Sequence, residues 1–118
     1  MTEQTRRQKN ERVGRYAEFF TIIYMLLKGY RLLEQRYKCS AGEIDLIFKR
    51  RKIIIFCEVK YRKDKSQLAY SLGEKQKLRI LKTAECWLAH KNLTEYNARF
   101  DFIGLTLWQK PIHIKDAF

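Results

Sequence analysis

The chain has 118 residues, 46% hydrophobic and 14% aromatic, with a single proline. These values describe one globular domain with one core, and they exclude repeat, low-complexity and two-domain organisations. Twenty-five basic residues against 13 acidic ones leave a net charge of +12, so the partner to expect is a polyanion, either nucleic acid or an anionic membrane surface.

The opening MTEQTRRQKNERVGR has no apolar core and does not read as a signal peptide. Residues 1–10 are expected to form a flexible basic tail, with a single domain over 11–118. The residues favour helix from about Glu11 to Lys28, and Gly29 is a natural stop. The longest apolar run, FFTIIYMLL, has nine residues, against the roughly 20 that span a bilayer. A soluble, cytoplasmic protein without membrane partners is the expectation. RLLEQRYK, residues 31–38, reads as a first strand. Two clear strands follow over about 43–49 and 53–61, joined by Arg50, Arg51 and Lys52. Residues 63–73 read as a polar loop.

Helix returns over Glu74–Lys91, where Leu78, Leu81, Ala84 and Leu88 recur at three- and four-residue spacing. Lys75, Arg79 and Lys82 fall on its other side. ARFDFIGLTLW, residues 98–108, is a further strand, and PIHIKDAF closes the chain as a short edge strand or tail. The order predicts an α/β fold, a mixed sheet packed by helices. Cys39, Cys57 and Cys86 are widely spaced without a CxxC, so they read as reduced core residues. His90 and His113 have no ligand spacing with them, and a structural zinc site is not expected.

The central stretch, GEIDLIFKRRKIIIFCEVKYRK, places charge inside the most apolar strands. Alternation puts Glu43 and Asp45 on one face of the first strand, and Glu58 and Lys60 on one face of the next. With Lys49 opposite Lys52, Asp45 would oppose Phe56 and Glu43 would oppose Glu58, with all four charges on one face. Converging carboxylates need a compensating cation. Lys60 offers one charge, and Mg²⁺ or Mn²⁺ offers two to hard oxygen donors. Such a site suits phosphodiester hydrolysis. The plainer alternative keeps Glu58 and Lys60 as an exposed pair on an edge strand, and Asp45 as a turn cap.

Asp45, twelve residues, then Glu58-Val59-Lys60 resembles the core motif of PD-(D/E)XK nucleases, with Ile44 in place of the proline. GEIDLI and FCEVKYR together resemble the YraN family. GRYAE, KGYRLL, TAECWLA, RFDFI and IKDAF extend that resemblance in the same order from about residue 12 to the C-terminus. The resemblance, through archaeal Holliday-junction resolvases and RecB-type nucleases, implies a restriction-endonuclease-like fold. It implies Asp45 and Glu58 as metal ligands, a backbone carbonyl from Val59, and Lys60 serving the attacking water. Glu18 matches the acidic helix residue that completes such sites, directly or through water. Read from its own neighbours, Glu18 is either a surface residue or a cleft residue. Glu43 is a secondary candidate. On the second helix the contact falls to Gln76, or to Lys75 or Lys77.

Basic residues gather in three places: five in residues 1–15, eight in 49–65 and four in 75–82. The middle group brackets the carboxylates, as phosphate binding requires. Arg62, Lys75, Gln76, Lys77, Arg79 and Lys82 are the candidate nucleic-acid contacts. No base-reading motif is present, so recognition of branches, ends or single strands is expected rather than of sequence. Tyr70 is the candidate base stacker, whereas Tyr61 and Trp87 read as core. Two functions follow. One is a metal-dependent endo- or exonuclease, with DNA favoured over RNA by the resemblance alone. The other is a binding module that keeps the fold without the chemistry. Pairing into a homodimer stays open, with no seam visible in the sequence.

Overall fold

A computed structural model describes residues 3–64, 73–106 and 109–118, with side chains from Arg12 onward. The chain order is α1 (Glu3–Leu27), β1 (Arg31–Cys39), β2 (Gly42–Arg50), β3 (Ile53–Tyr61), α2 (Glu74–His90), β4 (Asn97–Leu105) and β5 (Ile112–Ile114). The helix expected from about Glu11 begins at Glu3. EQTRRQKN is made largely of good helix formers and has no proline or glycine, so nothing in it interrupts the turn. α1 ends where Gly29 takes φ +91°. Tyr30 N–H donates to Met25 O and Gly29 N–H to Leu26 O, each at 3.0 Å, which closes the helix in a Schellman turn.

The strands form one sheet in the order β1-β2-β3-β4-β5. β3 and β4 run parallel, and the other neighbours are antiparallel. The α/β expectation of a mixed sheet flanked by helices therefore holds. The β2–β3 register differs from the one expected. Lys49 opposes Ile54 and Arg50 opposes Ile53, so the turn is Arg51-Lys52. Arg51 takes φ 56°, a conformation with no sequence signal in an arginine. The shift is two residues, which preserves which face each β3 side chain occupies.

Each face of the sheet carries one helix. Met25 of α1 packs with Leu46, Phe48, Ile55 and Cys57 on one side. Ile80, Ala84 and Trp87 of α2 pack with Ile44, Ile47, Ile54 and Phe56 on the other. Full burial of Phe48 or Phe56 contributes about 1.5–3 kcal/mol each. The buried stripe of α2 is Ile80, Thr83, Ala84 and Trp87, whereas Leu78, expected inside, is exposed. Thr83 hides in this stripe because its hydroxyl donates to Arg79 O at 2.6 Å and needs no other partner. Trp87 is core as expected, and Tyr61 packs against the α1-side cluster. Of the cysteines only Cys57 is buried; Cys39 is half-buried and Cys86 exposed, correcting the expectation of three core thiols. Cys86 lies on the outer flank of α2, with its Sγ 3.4 Å from the Tyr37 hydroxyl.

Gly42 opens β2 directly under α2. A Cβ there would lie 3.0 Å from Thr83 Oγ1 and 3.5 Å from Arg79 Cβ. Gly42→Ala should therefore cost about 1–2 kcal/mol, read as a lower urea midpoint with an unchanged slope. An unchanged midpoint would show that α2 is free to lift away from the hairpin.

Candidate metal and phosphate site

β1 and β2 pair regularly from Cys39–Gly42 to Tyr37–Ile44 and resume at Gln35–Leu46. Arg36 and Asp45 are skipped without a change of register, and the register shift lies further on, between Leu32 and Glu34. Arg36 takes φ 50°, a left-handed conformation that is strained for arginine. On the other side of β2, pairing with β3 ends at Leu46–Cys57. One step further, the Asp45 side chain takes over: its Oδ2 accepts the Val59 N–H at 2.8 Å. The strands splay at Asp45, and a carboxylate replaces a backbone carbonyl in the ladder. Ile44 packs in the α2 layer and Leu46 in the α1 layer, which strict alternation across Asp45 would not allow.

Glu58 enters this gap from β3. It is 6% exposed, and β3 is the central strand, so the edge-strand alternative for Glu58 and Lys60 fails. Lys60 Nζ lies 3.2 Å from Glu58 Oε1. Gln76 Nε2 of α2 donates to the same oxygen at 3.1 Å. The helix contact is thus Gln76, and neither Lys75 nor Lys77 takes its place. Asp45 and Glu58 also interact, with a hydrogen bond from Asp45 helping to hold the Glu58 pKa down against burial. Burial and the Glu58 charge push the Asp45 pKa up to about 7. Burial likewise raises Glu58, against the pull of Lys60. One lysine does not neutralise the pair.

Glu18 of α1 is half-buried, with its Oε1 3.1 Å from Arg36 Nε. Its charge still raises the Asp45 pKa. Among the described residues, no three His, Cys, Asp or Glu side chains gather closely enough to hold a metal by themselves. Glu43 is exposed on β2 and acts on Glu58 only through its charge. Asp45 and Glu58 fit a hard divalent cation. Both are oxygen donors in a partly dry gap, under-neutralised by the residues around them. Mg²⁺ needs only one or two protein carboxylates and keeps several waters.

Lys75, Arg79 and Lys82 are exposed along α2. Lys77 is half-buried and 3.6 Å from Glu74. Arg62 is half-buried, and its Nη1 donates to Tyr61 O at 2.7 Å. Tyr70 lies outside the described residues. Sequence reasoning missed Arg36, the residue that holds Glu18. It also missed a second polar cluster. Arg99 Nη2 and His113 Nε2 each lie 2.7 Å from Asp101 Oδ2, and Asp116 N–H donates to Oδ1 at 3.0 Å. Arg99 and Asp101 stand two apart on a strand, so alternation alone placed them side by side.

No helix among the described residues is long and apolar enough to cross a membrane. Residues 17–105 match the model of the "Uncharacterised protein family UPF0102". The UPF0102 protein Atu0303 of Agrobacterium fabrum is 36% identical, over 98% of this chain and 96% of its own. The UPF0102 protein mlr4633 of Mesorhizobium japonicum is 34% identical, over 95% and 90%. A UPF0102 protein of Rhodopseudomonas palustris BisB5 is 40% identical, over 89% and 81%. The matched segment runs from the first turn after Tyr16 to the end of β4 and so takes in Glu18, Asp45, Glu58, Lys60 and Gln76, which places the chain in the UPF0102 family.

Proposed function

We propose that this protein is a Mg²⁺- or Mn²⁺-dependent nuclease of the PD-(D/E)XK kind, hydrolysing phosphodiester bonds in nucleic acid, with DNA ahead of RNA. The observation that carries this reading is the Asp45–Glu58 pair, two carboxyl groups that interact electrostatically where β2–β3 pairing ends, with Asp45 on the Val59 N–H and with Lys60 and Gln76 on one Glu58 oxygen. A purely structural role gives no reason to set two acidic groups, both with raised pKa, beside a single lysine inside a sheet. Asp45, Glu58 and the Val59 carbonyl would hold the cation. When bound, that ion supplies Lewis-acid polarisation of a phosphate and a more acidic water. Lys60 holds its ammonium at the rim of the gap, positioned to orient a water or meet a phosphate oxygen. Gln76 fixes the Glu58 rotamer. Lys75, Arg79 and Lys82 supply a basic flank for the phosphate backbone. The substrates to expect are branched, flapped or otherwise structured intermediates.

A second reading has its own support. Glu18 is engaged by Arg36, so among the described residues no third carboxylate joins Asp45 and Glu58 closely enough to share a metal. A nucleic-acid-binding module that keeps the fold without cleaving fits that arrangement. Calorimetry with Mn²⁺ separates the two. Wild type should bind metal, alone or with a DNA duplex present, and the Asp45→Asn/Glu58→Gln double variant should not. Absence of binding under both conditions would hand the site to the binding module. Lys60→Ala should slow cleavage about 10²-fold or more while changing affinity little. Equal losses in both would make Lys60 a phosphate anchor.

A further inference from the structure

α1 is apolar on two faces, and the sheet uses only one. Ala17, Thr21 and Met25 point into the core and are at most 5% exposed. Thr21 Oγ1 donates to Ala17 O at 2.8 Å, so even the polar atom of this face is satisfied within the helix. On the outer side stand Tyr16, Phe19, Phe20, Ile23, Leu26 and Leu27, between 40 and 84% exposed. With aromatic side chains presenting about 150–250 Å² each, this stripe exposes on the order of 600 Å² of contiguous apolar surface. That is the upper limit of what a monomer carries and close to the roughly 800 Å² per partner of a standard interface.

We propose that this stripe is the seam of a homodimer, α1 of one copy packed antiparallel on α1 of a second. Tyr16, Phe20, Ile23 and Leu27 follow a 4-3-4 spacing, the a/d period of a two-helix seam. The spacing reads the same from either end, so the stripe is self-complementary under a two-fold axis. Antiparallel packing sets Tyr16 against Leu27 of the other copy and Phe20 against Ile23. It also leaves the basic turns before Tyr16, with Arg12 and Arg15, overhanging the other helix's end. A parallel pair would stack them on each other. A membrane surface is the weaker occupant. Basic residues do flank the stripe, Arg12 and Arg15 before it and Lys28 after it, but a membrane surface gives no reason for a spacing that matches itself under a two-fold axis.

Sedimentation velocity on the full chain, from about 2 to 200 µM in moderate salt, tests the seam. The wild-type mass should rise with concentration from 14.3 kDa toward twice that value. Phe20→Glu and Ile23→Glu each enter the seam twice, and each should weaken association at least 100-fold with unchanged circular dichroism. Leu78→Glu, at an exposed leucine on α2, should dimerise as wild type does. A wild type that stays at 14.3 kDa throughout overturns the proposal. So does dimerisation that survives both seam variants, or Phe20-dependent recruitment of monomer to phosphatidylglycerol vesicles. No nucleic acid enters the measurement, so its outcome is independent of the nuclease reading.

Discussion

Asp45→Asn and Glu58→Gln are each expected to lower cleavage by about 10²–10³-fold or more and to make the metal-free protein more stable. The two effects have one cause. The Asp45 and Glu58 carboxyl groups interact electrostatically, and among the described residues Lys60 is the cation paired with Glu58. Neutralising either relieves a like-charge interaction in a partly dry gap, worth on the order of 1 kcal/mol, or roughly 4–8 °C in Tm for a domain near this size. Nucleic-acid affinity should hold or tighten, because negative charge leaves a phosphate site. Added Mn²⁺ should raise the wild-type Tm and leave the double variant's unmoved. The measurements are a gel assay on branched and single-stranded substrates and a thermal melt with and without metal. Normal cleavage by both single variants would move the chemistry elsewhere. A fall in Tm would show that the carboxylates hold the strands together rather than waiting for a cation.

The strands around this site were legible because their apolar runs are long and bounded by charge. β2 and β3 lie within one residue of where alternation placed them. The register between them was not legible. It depends on Arg51 adopting a left-handed turn conformation that no arginine announces. Parity kept only the β3 half of the inference. A two-residue error leaves Glu58 and Lys60 on the face where Gln76 meets them. The expected alternation of Glu43 and Asp45 fails at Asp45, where Ile44 and Leu46 face opposite layers. Glu18 shows where local reasoning ends. Its neighbours left a surface and a cleft position both open, and its partner is Arg36, a β1 residue with positive φ that the sequence does not announce. α2 went the other way. The expected stripe holds at Ala84 and Leu88, but Leu78 is exposed and the buried face turns to Ile80, Trp87 and Thr83, which stands in for an apolar residue. Packing against Phe56, through a Trp87 ring at 5.7 Å, outweighed the count of leucines.

Asp101→Asn is expected to cost about 3–5 kcal/mol, the largest stability loss of any substitution considered. Asp101 is fully buried on β4, beside Cys57 of the central strand. Its two oxygens take Arg99 Nε and Nη2, His113 Nε2 and the Asp116 N–H. Lys28 Nζ can only donate, and it meets His113 Nδ1 at 3.1 Å, so His113 carries its proton on Nε2 and gives that hydrogen bond to Asp101. One carboxylate therefore ties β4, β5, the C-terminal turn and the end of α1 together. Burial alone would raise its pKa, yet the bonds from His113 and Arg99 hold it at about 2, below the ordinary 3.8. A carboxylate with a lowered folded pKa stabilises the fold above its unfolded value. That contribution, about 2–3 kcal/mol, should be fully present above about pH 4 and fade as the pH falls toward 2. Urea titrations at pH 6 and near pH 2.5 check this. The gap between wild type and Asp101→Asn should narrow by most of that amount on acidification. Metal affinity at low temperature should survive the substitution, because Asp101 touches neither Asp45 nor Glu58. A gap independent of pH would mean that Asp101 acts through shape rather than charge. Lost metal binding in a still-folded variant would mean that β4 sets the spacing of the splayed strands.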